Sequence, residues 1–430
     1  MTQRWWWWKI VLAVLLALPA VVLRLTGAAL PPLPSVMVYG GAVVASAFLM
    51  CWAAEAVQHD LSASLATAIL ALITILPEYA VDLYFAYSAG THPGHARYAA
   101  ANMTGSNRLL LGLGWPMVLF LLMVWGRRAG RPVTELSIKP GRRVELAFLG
   151  LACLYALSFP LRGGLHWVDG VVLIGIYVLY TWRLAKEEHE EPELIGVAAR
   201  LGELRWWRRR LALTLLFLWS ALVVVLVAKP FADALVDGGR VLGLDEFLLV
   251  QWVAPLASEA PEFLVAALLA LRGNADTALG ALLSSKVNQW TLLVGCLPLA
   301  HLVGGGGPVL PFDVRQAEEF WLTSAQTLLG FALLVKLSLR RWEAAALLGL
   351  FLAQFALPGP GARVVLAWVY AALALVLLAA QRRHLPAMVR SLWRNGPISL
   401  PSVFGPGASP GPRSSGGSGT PGPGSGPGPS

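Results

Sequence analysis

Two Pro-Glu pairs, Pro77-Glu78 and Pro261-Glu262, lie deep inside apolar stretches of the chain. A carboxylate inside a membrane helix costs about 3 kcal/mol or more, so it usually faces a cavity and has a task. Each proline removes one backbone donor and frees a carbonyl one turn earlier. Carboxylate and freed carbonyl together make a hard, oxygen-rich site of the kind that suits calcium or sodium. Each pair is followed by a small, polar segment. The first reads Ala101-Asn102-Met103-Thr104-Gly105-Ser106-Asn107, and the second Gly280-Ala281-Leu282-Leu283-Ser284-Ser285-Lys286, with Asn288 and Gln289 just beyond. Asn102, Ser106, Asn107, Ser285 and Asn288 are candidate neutral oxygen ligands, and Gln289 is a further one beside Glu262. Gly105, Gly280 and Ser284 let helices cross closely.

Other charges sit near these motifs. Glu259 precedes Glu262 by three residues and shares its helical face. Asp82 follows Glu78 by one turn. Several acids in one dry site repel one another, and a buried ammonium relieves that. Lys286 is therefore expected to pair with Glu259 or Glu262 and to take the place of one bound cation. Arg108, directly after Asn107, is a candidate partner for an acid such as Asp82.

The elements that position these residues are membrane helices. Hydrophobic residues make up 57% of the 430 and charged residues only 13%, against about 25% in an ordinary soluble domain. Mean hydropathy is +0.64. A soluble globular protein is excluded. Apolar runs of about 20 residues recur, and they are continuous rather than alternating, which selects helices over a barrel. About twelve spans are predicted, near 6–25, 35–57, 61–88, 98–125, 143–161, 165–185, 211–232, 245–271, 276–302, 318–338, 342–357 and 361–381. The two Pro-Glu pairs lie in the third and eighth spans, an odd offset of five, so the two units run in opposite orientations. The fold class expected is all-α integral membrane, an inverted repeat of two five-helix units.

The net charge is +9. In a soluble protein it would suggest nucleic acid; here the bases concentrate in alternate loops. Arg127, Arg128, Arg131, Arg142 and Arg143 crowd one loop, and Arg200, Arg205, Arg208, Arg209 and Arg210 another. The positive-inside bias places both termini in the cytoplasm. Cys51, Cys153 and Cys296 lie in apolar runs and read as small packing residues. The organisation expected is an extra helix (1–34), a first repeat (35–185), a cytoplasmic linker (186–210), a second repeat (211–358), an extra C-terminal helix with a basic end (359–395) and a Gly/Pro/Ser tail (396–430). The tail cannot bury apolar area.

At the two Pro-Glu motifs the sequence resembles the calcium/cation antiporter superfamily, which includes the sodium/calcium exchangers. Thr74, Leu76, Pro77 and Glu78 match the first repeat's Gly-Thr-Ser-Leu-Pro-Glu pattern, and Asn102, Gly105, Ser106 and Asn107 the pattern on the next helix. In the second repeat Pro261, Glu262, the Arg272-Gly273-Asn274-Ala275-Asp276 connection, Gly280 and Ser285 match. The chain departs from the family at Ile73, Ile75, Glu259, Ala281 and Lys286. The resemblance implies a secondary antiporter of a prokaryotic inner membrane, with Glu78 and Glu262 as cation ligands. Calcium is the transported ion it suggests, with sodium or protons as the coupling ion.

No cofactor is expected, since the chain has no phosphate-cradling glycine loop. Gly304-Gly305-Gly306-Gly307 reads as a flexible turn. The partners expected are inorganic cations and the lipid bilayer, not nucleic acid. Two alternatives stay open: a non-transporting or regulatory relative, and a membrane-embedded hydrolase. The second is disfavoured by the lack of a Gly-x-Ser-x-Gly or His-Glu-x-x-His pattern.

Overall fold

The computed structural model describes residues 6–57, 76–184, 194, 196–356 and 359–393. The readings that rest on Thr74, Ile73, Ile75 and the tail 396–430 lie outside the described residues. The described apolar stretches are helices, the form in which a backbone without water satisfies its own hydrogen bonds. In chain order they are α1 (Trp7–Thr26), α2 (Pro32–Val57), α3 (Leu76–Ser88), α4 (Ala96–Leu109), α5 (Trp115–Arg128), α6 (Arg143–Ala156) and α7 (Trp167–Leu184). There follow α8 (Trp206–Leu242), α9 (Glu246–Ala270), α10 (Ala275–Asn288), α11 (Val294–Val303), α12 (Val314–Leu334), α13 (Arg341–Ala356) and α14 (Pro360–Ala380). Among the described residues eight helical stretches are long and apolar enough to cross a bilayer.

Local signals set several helix ends. Asp245 caps α9 by accepting from the Phe247 N–H at 3.0 Å. Asp313 and Gln316 form a capping box at the start of α12. Gly243, at φ 62°, closes α8 in the left-handed region that glycine adopts freely. The 37 residues of α8 extend roughly 55 Å at 1.5 Å per residue. It starts at Trp206, inside the stretch expected to be linker, because arginines end an apolar run without ending a helix. A short helix, Gly196–Gly202, also lies in that stretch.

Two features close to the motifs are not encoded by hydrophobic pattern. A π-helical turn at Leu110–Gly114 joins α4 to α5, and a second at Gln289–Leu293 joins α10 to α11. Such turns re-aim the side chains around them and recur at functional sites. Two antiparallel strand pairs tie loops of the first half to loops of the second. β1 (Glu135–Ser137) pairs with β4 (Ser338–Arg340), Leu136 opposite Leu339. β2 (Gly164–His166) pairs with β3 (Val309–Pro311), Leu165 opposite Leu310.

The helices meet closely where side chains are smallest. Pro255 cannot donate to the carbonyl of Gln251 one turn earlier, and Gly105 of α4 packs against that same carbonyl; a Cβ on Gly105 would overlap it. The glycine run at 304–307, expected as a flexible turn, does turn the chain, but its first residue is packed against backbone. A Cβ on Gly304 would overlap the Tyr87 carbonyl, and one on Gly90 would overlap the Gly304 carbonyl. These are packed backbone crossings that require glycine.

Replacing Gly105 with valine forces α4 away from α9. It should destabilise the protein by about 1–3 kcal/mol or more, read as a lower Tm in detergent. Gly349→Ala, where a Cβ would meet nothing within 4 Å, serves as the control and should leave the Tm unchanged.

Candidate cation site

Four helices converge on the acids. Glu78 stands in the first turn of α3, and Glu259 and Glu262 flank Pro261 in α9. Asn102, Ser106 and Asn107 come from α4; Ser285, Lys286 and Asn288 from the end of α10. Gln289 opens the second π turn. Glu78, Asp82 and Glu259 are 5%, 0% and 2% exposed, so none of these carboxyls relies on bulk water.

One pair of acids shares its donors. Ser106 Oγ contacts Glu78 Oε1 at 2.5 Å and also contacts Glu259 Oε1. The Gln289 amide donates to Glu78 Oε2 at 3.0 Å and to Glu259 Oε1 at 2.6 Å. Glu262, half-buried, accepts from Ser285 Oγ at 2.7 Å. The halves thus echo each other: Ser106 and Ser285, each four residues before a π turn, each donate to the glutamate that follows a proline. One turn along α3, Asp82 accepts from Asn102 Nδ2 at 2.9 Å.

The same region is short of donors. Asp82 Oδ2, Asn102 Oδ1, Glu259 Oε2 and Gln289 Oε1 are buried acceptors without a hydrogen-bond partner among the described residues. Buried acceptors are almost always satisfied. Four of them around one cluster are suited to receive a cation or protons, and oxygen is the donor type that a hard cation selects.

Several expected pairings are corrected. Lys286 does not meet Glu259 or Glu262; its Nζ donates to the Asn107 main-chain oxygen at 2.8 Å and to Asn107 Oδ1 at 2.9 Å. The side chain leaves α10 toward α4. Arg108 does not meet Asp82. One residue past Asn107, it turns outward and pairs with Glu319 of α12 at 2.6 Å, both side chains 2% exposed. Its Nη1 donates to Gln354 Oε1 at 3.0 Å, and its guanidinium lies 5.1 Å from the Trp252 ring centroid. Asn288, expected beside Glu262, accepts from Tyr79 OH at 3.1 Å. Gln289 bridges Glu78 and Glu259 rather than serving Glu262. Glu319 and Tyr79 went unmarked in the sequence reading; an acid inside the apolar α12 was the available signal for the first.

A bundle of apolar helices with acids and amides gathered at its core defines an integral membrane protein with a polar interior. The chain belongs to the family described as sodium/calcium exchanger protein, whose model matches residues 33–186 and 212–357. Members of this family are secondary transporters, not enzymes. A solved crystal structure of the H+/Ca2+ exchanger CAX is 39% identical, covers 90% of this chain and 97% of its own, and superposes with a TM-score of 0.85. The structure of native YfkE shares the fold at 16% identity, with a TM-score of 0.57 over 85% of this chain and 99% of that one. A curated protein, CaxA of Alkalimonas amylolytica, is 32% identical over 136 residues, a match that spans 32% of this chain and 39% of CaxA.

The buried ion pair makes a prediction about packing. Arg108→Met leaves Glu319 with only the longer contact to Arg363, which should cost about 3–5 kcal/mol, whereas the double change with Glu319→Leu should recover most of the loss. Thermal unfolding in detergent of the two single variants and the double variant provides the check.

Proposed function

We propose that the protein is an antiporter that exchanges calcium for protons at the Glu78–Glu259 pair, with Glu262 completing the acidic site. One observation carries the reading. Ser106 has a single hydroxyl hydrogen yet contacts a carboxyl oxygen of both acids. It can donate fully to only one; a proton on the other carboxyl, donated to Ser106 Oγ, would satisfy the second contact. The unpartnered oxygens of Glu259, Gln289, Asp82 and Asn102 supply further ligands when the proton leaves and calcium enters.

Antiport follows from shared oxygens. Two carboxylates in an apolar surround need compensating positive charge. A divalent cation supplies it, and so do two protons, but the same oxygens cannot serve both at once. Calcium binding then expels protons, and proton binding expels calcium. The likeness to the H+/Ca2+ exchanger CAX supports calcium and protons as the ion pair.

The architecture that goes with this reading is an inverted repeat of two five-helix units, near 35–185 and 211–358, within about twelve spans. The two π turns and the two serine–glutamate contacts, each repeated once per half, support it. Both termini are cytoplasmic in the inner membrane of a prokaryote, with the basic loops on the same side. Rocking of one helix group against the other exposes the acids to either face in turn.

In proteoliposomes an imposed pH gradient should drive calcium flux, and an equal sodium gradient should not. Glu78→Gln and Glu259→Gln should each weaken apparent calcium affinity by about 10- to 100-fold or more, and the Glu78→Gln, Glu262→Gln double variant should abolish flux. Wild-type flux in that double variant, or sodium-driven flux in its place, would overturn the assignment.

A further inference from the structure

A second positive charge is buried beside the acids, and its own surroundings point to a use. Lys286 is 0% exposed. Among the described residues its hydrogen-bond acceptors both belong to Asn107, and its Nζ lies 5.1 Å from the Trp290 ring centroid. The amide of Asn107 is oriented for this contact: its Nδ2 donates to the Met103 carbonyl at 2.9 Å, which leaves Oδ1 to face the ammonium. An ammonium can only donate, so no other orientation of the amide satisfies both contacts.

Position adds a second observation. Asn107 stands three residues before the first π turn and Lys286 three residues before the second. Lys286 therefore contacts the residue that occupies its own place in the other half. With asparagine at both places, oxygens from the two halves would face one another around a point charge. The ammonium occupies that point. Two carbonyl oxygens and an aromatic face are what a monovalent cation also seeks. A tethered ammonium differs from a free ion in one respect: it cannot leave.

We propose that Asn107 and Trp290 form a monovalent-cation subsite which Lys286 keeps permanently filled with its own ammonium, so that sodium and potassium take no part in transport. The transport readout of this inference rests on the calcium–proton reading above; the binding readout does not.

The test is Lys286→Asn, with Lys286→Met as the second variant should the first not elute as a monodisperse peak. Sodium chloride and potassium chloride are the probes, with choline chloride as the inert salt. Wild-type calcium flux should be the same in all three salts. In the variant, sodium or potassium should change calcium flux by about fivefold or more relative to choline. Titration calorimetry should show saturable sodium or potassium binding to the variant and none to the wild type. Adding Asn107→Leu should remove the gained binding. A folded variant that binds neither ion and whose flux ignores the salt overturns the proposal. Should the wild type move no calcium, the calcium–proton reading fails, while calorimetry on the variant still decides the subsite.

Discussion

A single hydroxyl hydrogen stands between two carboxyl groups, and the site is organised around that shortage. Ser106 reaches Glu78 on α3 and Glu259 on α9, helices from opposite halves of the chain. Water could supply the missing donors at a surface. In an apolar interior each unpaired acceptor carries the cost of its desolvation. On the proposed reading a cation or protons from solution offset that cost in turn, which is the condition for exchange.

The scaffold around the pair consists of close approaches and buried polar anchors. Gly105 brings α4 against the Gln251 carbonyl that Pro255 leaves without its helical donor. At 3.6 residues per turn, successive residues of α4 point in divergent directions. Ser106 and Asn107 face the acids and Lys286, while Arg108 points outward to Glu319. Arg363 of α14 extends that outer network, 3.2 Å from Glu318 and 3.8 Å from Glu319. Breaking any one of these anchors leaves a charge or a polar group in an apolar surround, so α4 is held at both its faces.

Much of this was legible in the residues. Acids beside prolines in apolar runs are costly enough to mark themselves, and Glu78, Glu259, Glu262, Ser106 and Ser285 all lie where small polar residues meet those acids. The partners of the basic residues were not legible. Charge alone matches Lys286 and Arg108 to the nearest acids and Gln289 to Glu262, but the acid that meets Arg108 lies in α12, far away in sequence, Lys286 finds its acceptors on Asn107, and Gln289 reaches Glu78 and Glu259. The paired strands were invisible because three residues are too few for an alternating pattern. The four-glycine run looked like a loose turn, since composition does not reveal a backbone packed against it.

The central claim is that acids from the two halves share one cation. It is tested most directly by crystals of the protein soaked in manganese, an oxygen-seeking divalent ion whose position anomalous scattering reports. The account predicts a peak between Glu78 and Glu259, with Glu262 nearby, that disappears when the soak is repeated at acid pH. A peak found only at surface carboxylates, with both glutamates and Ser106 left as they are here, would contradict it.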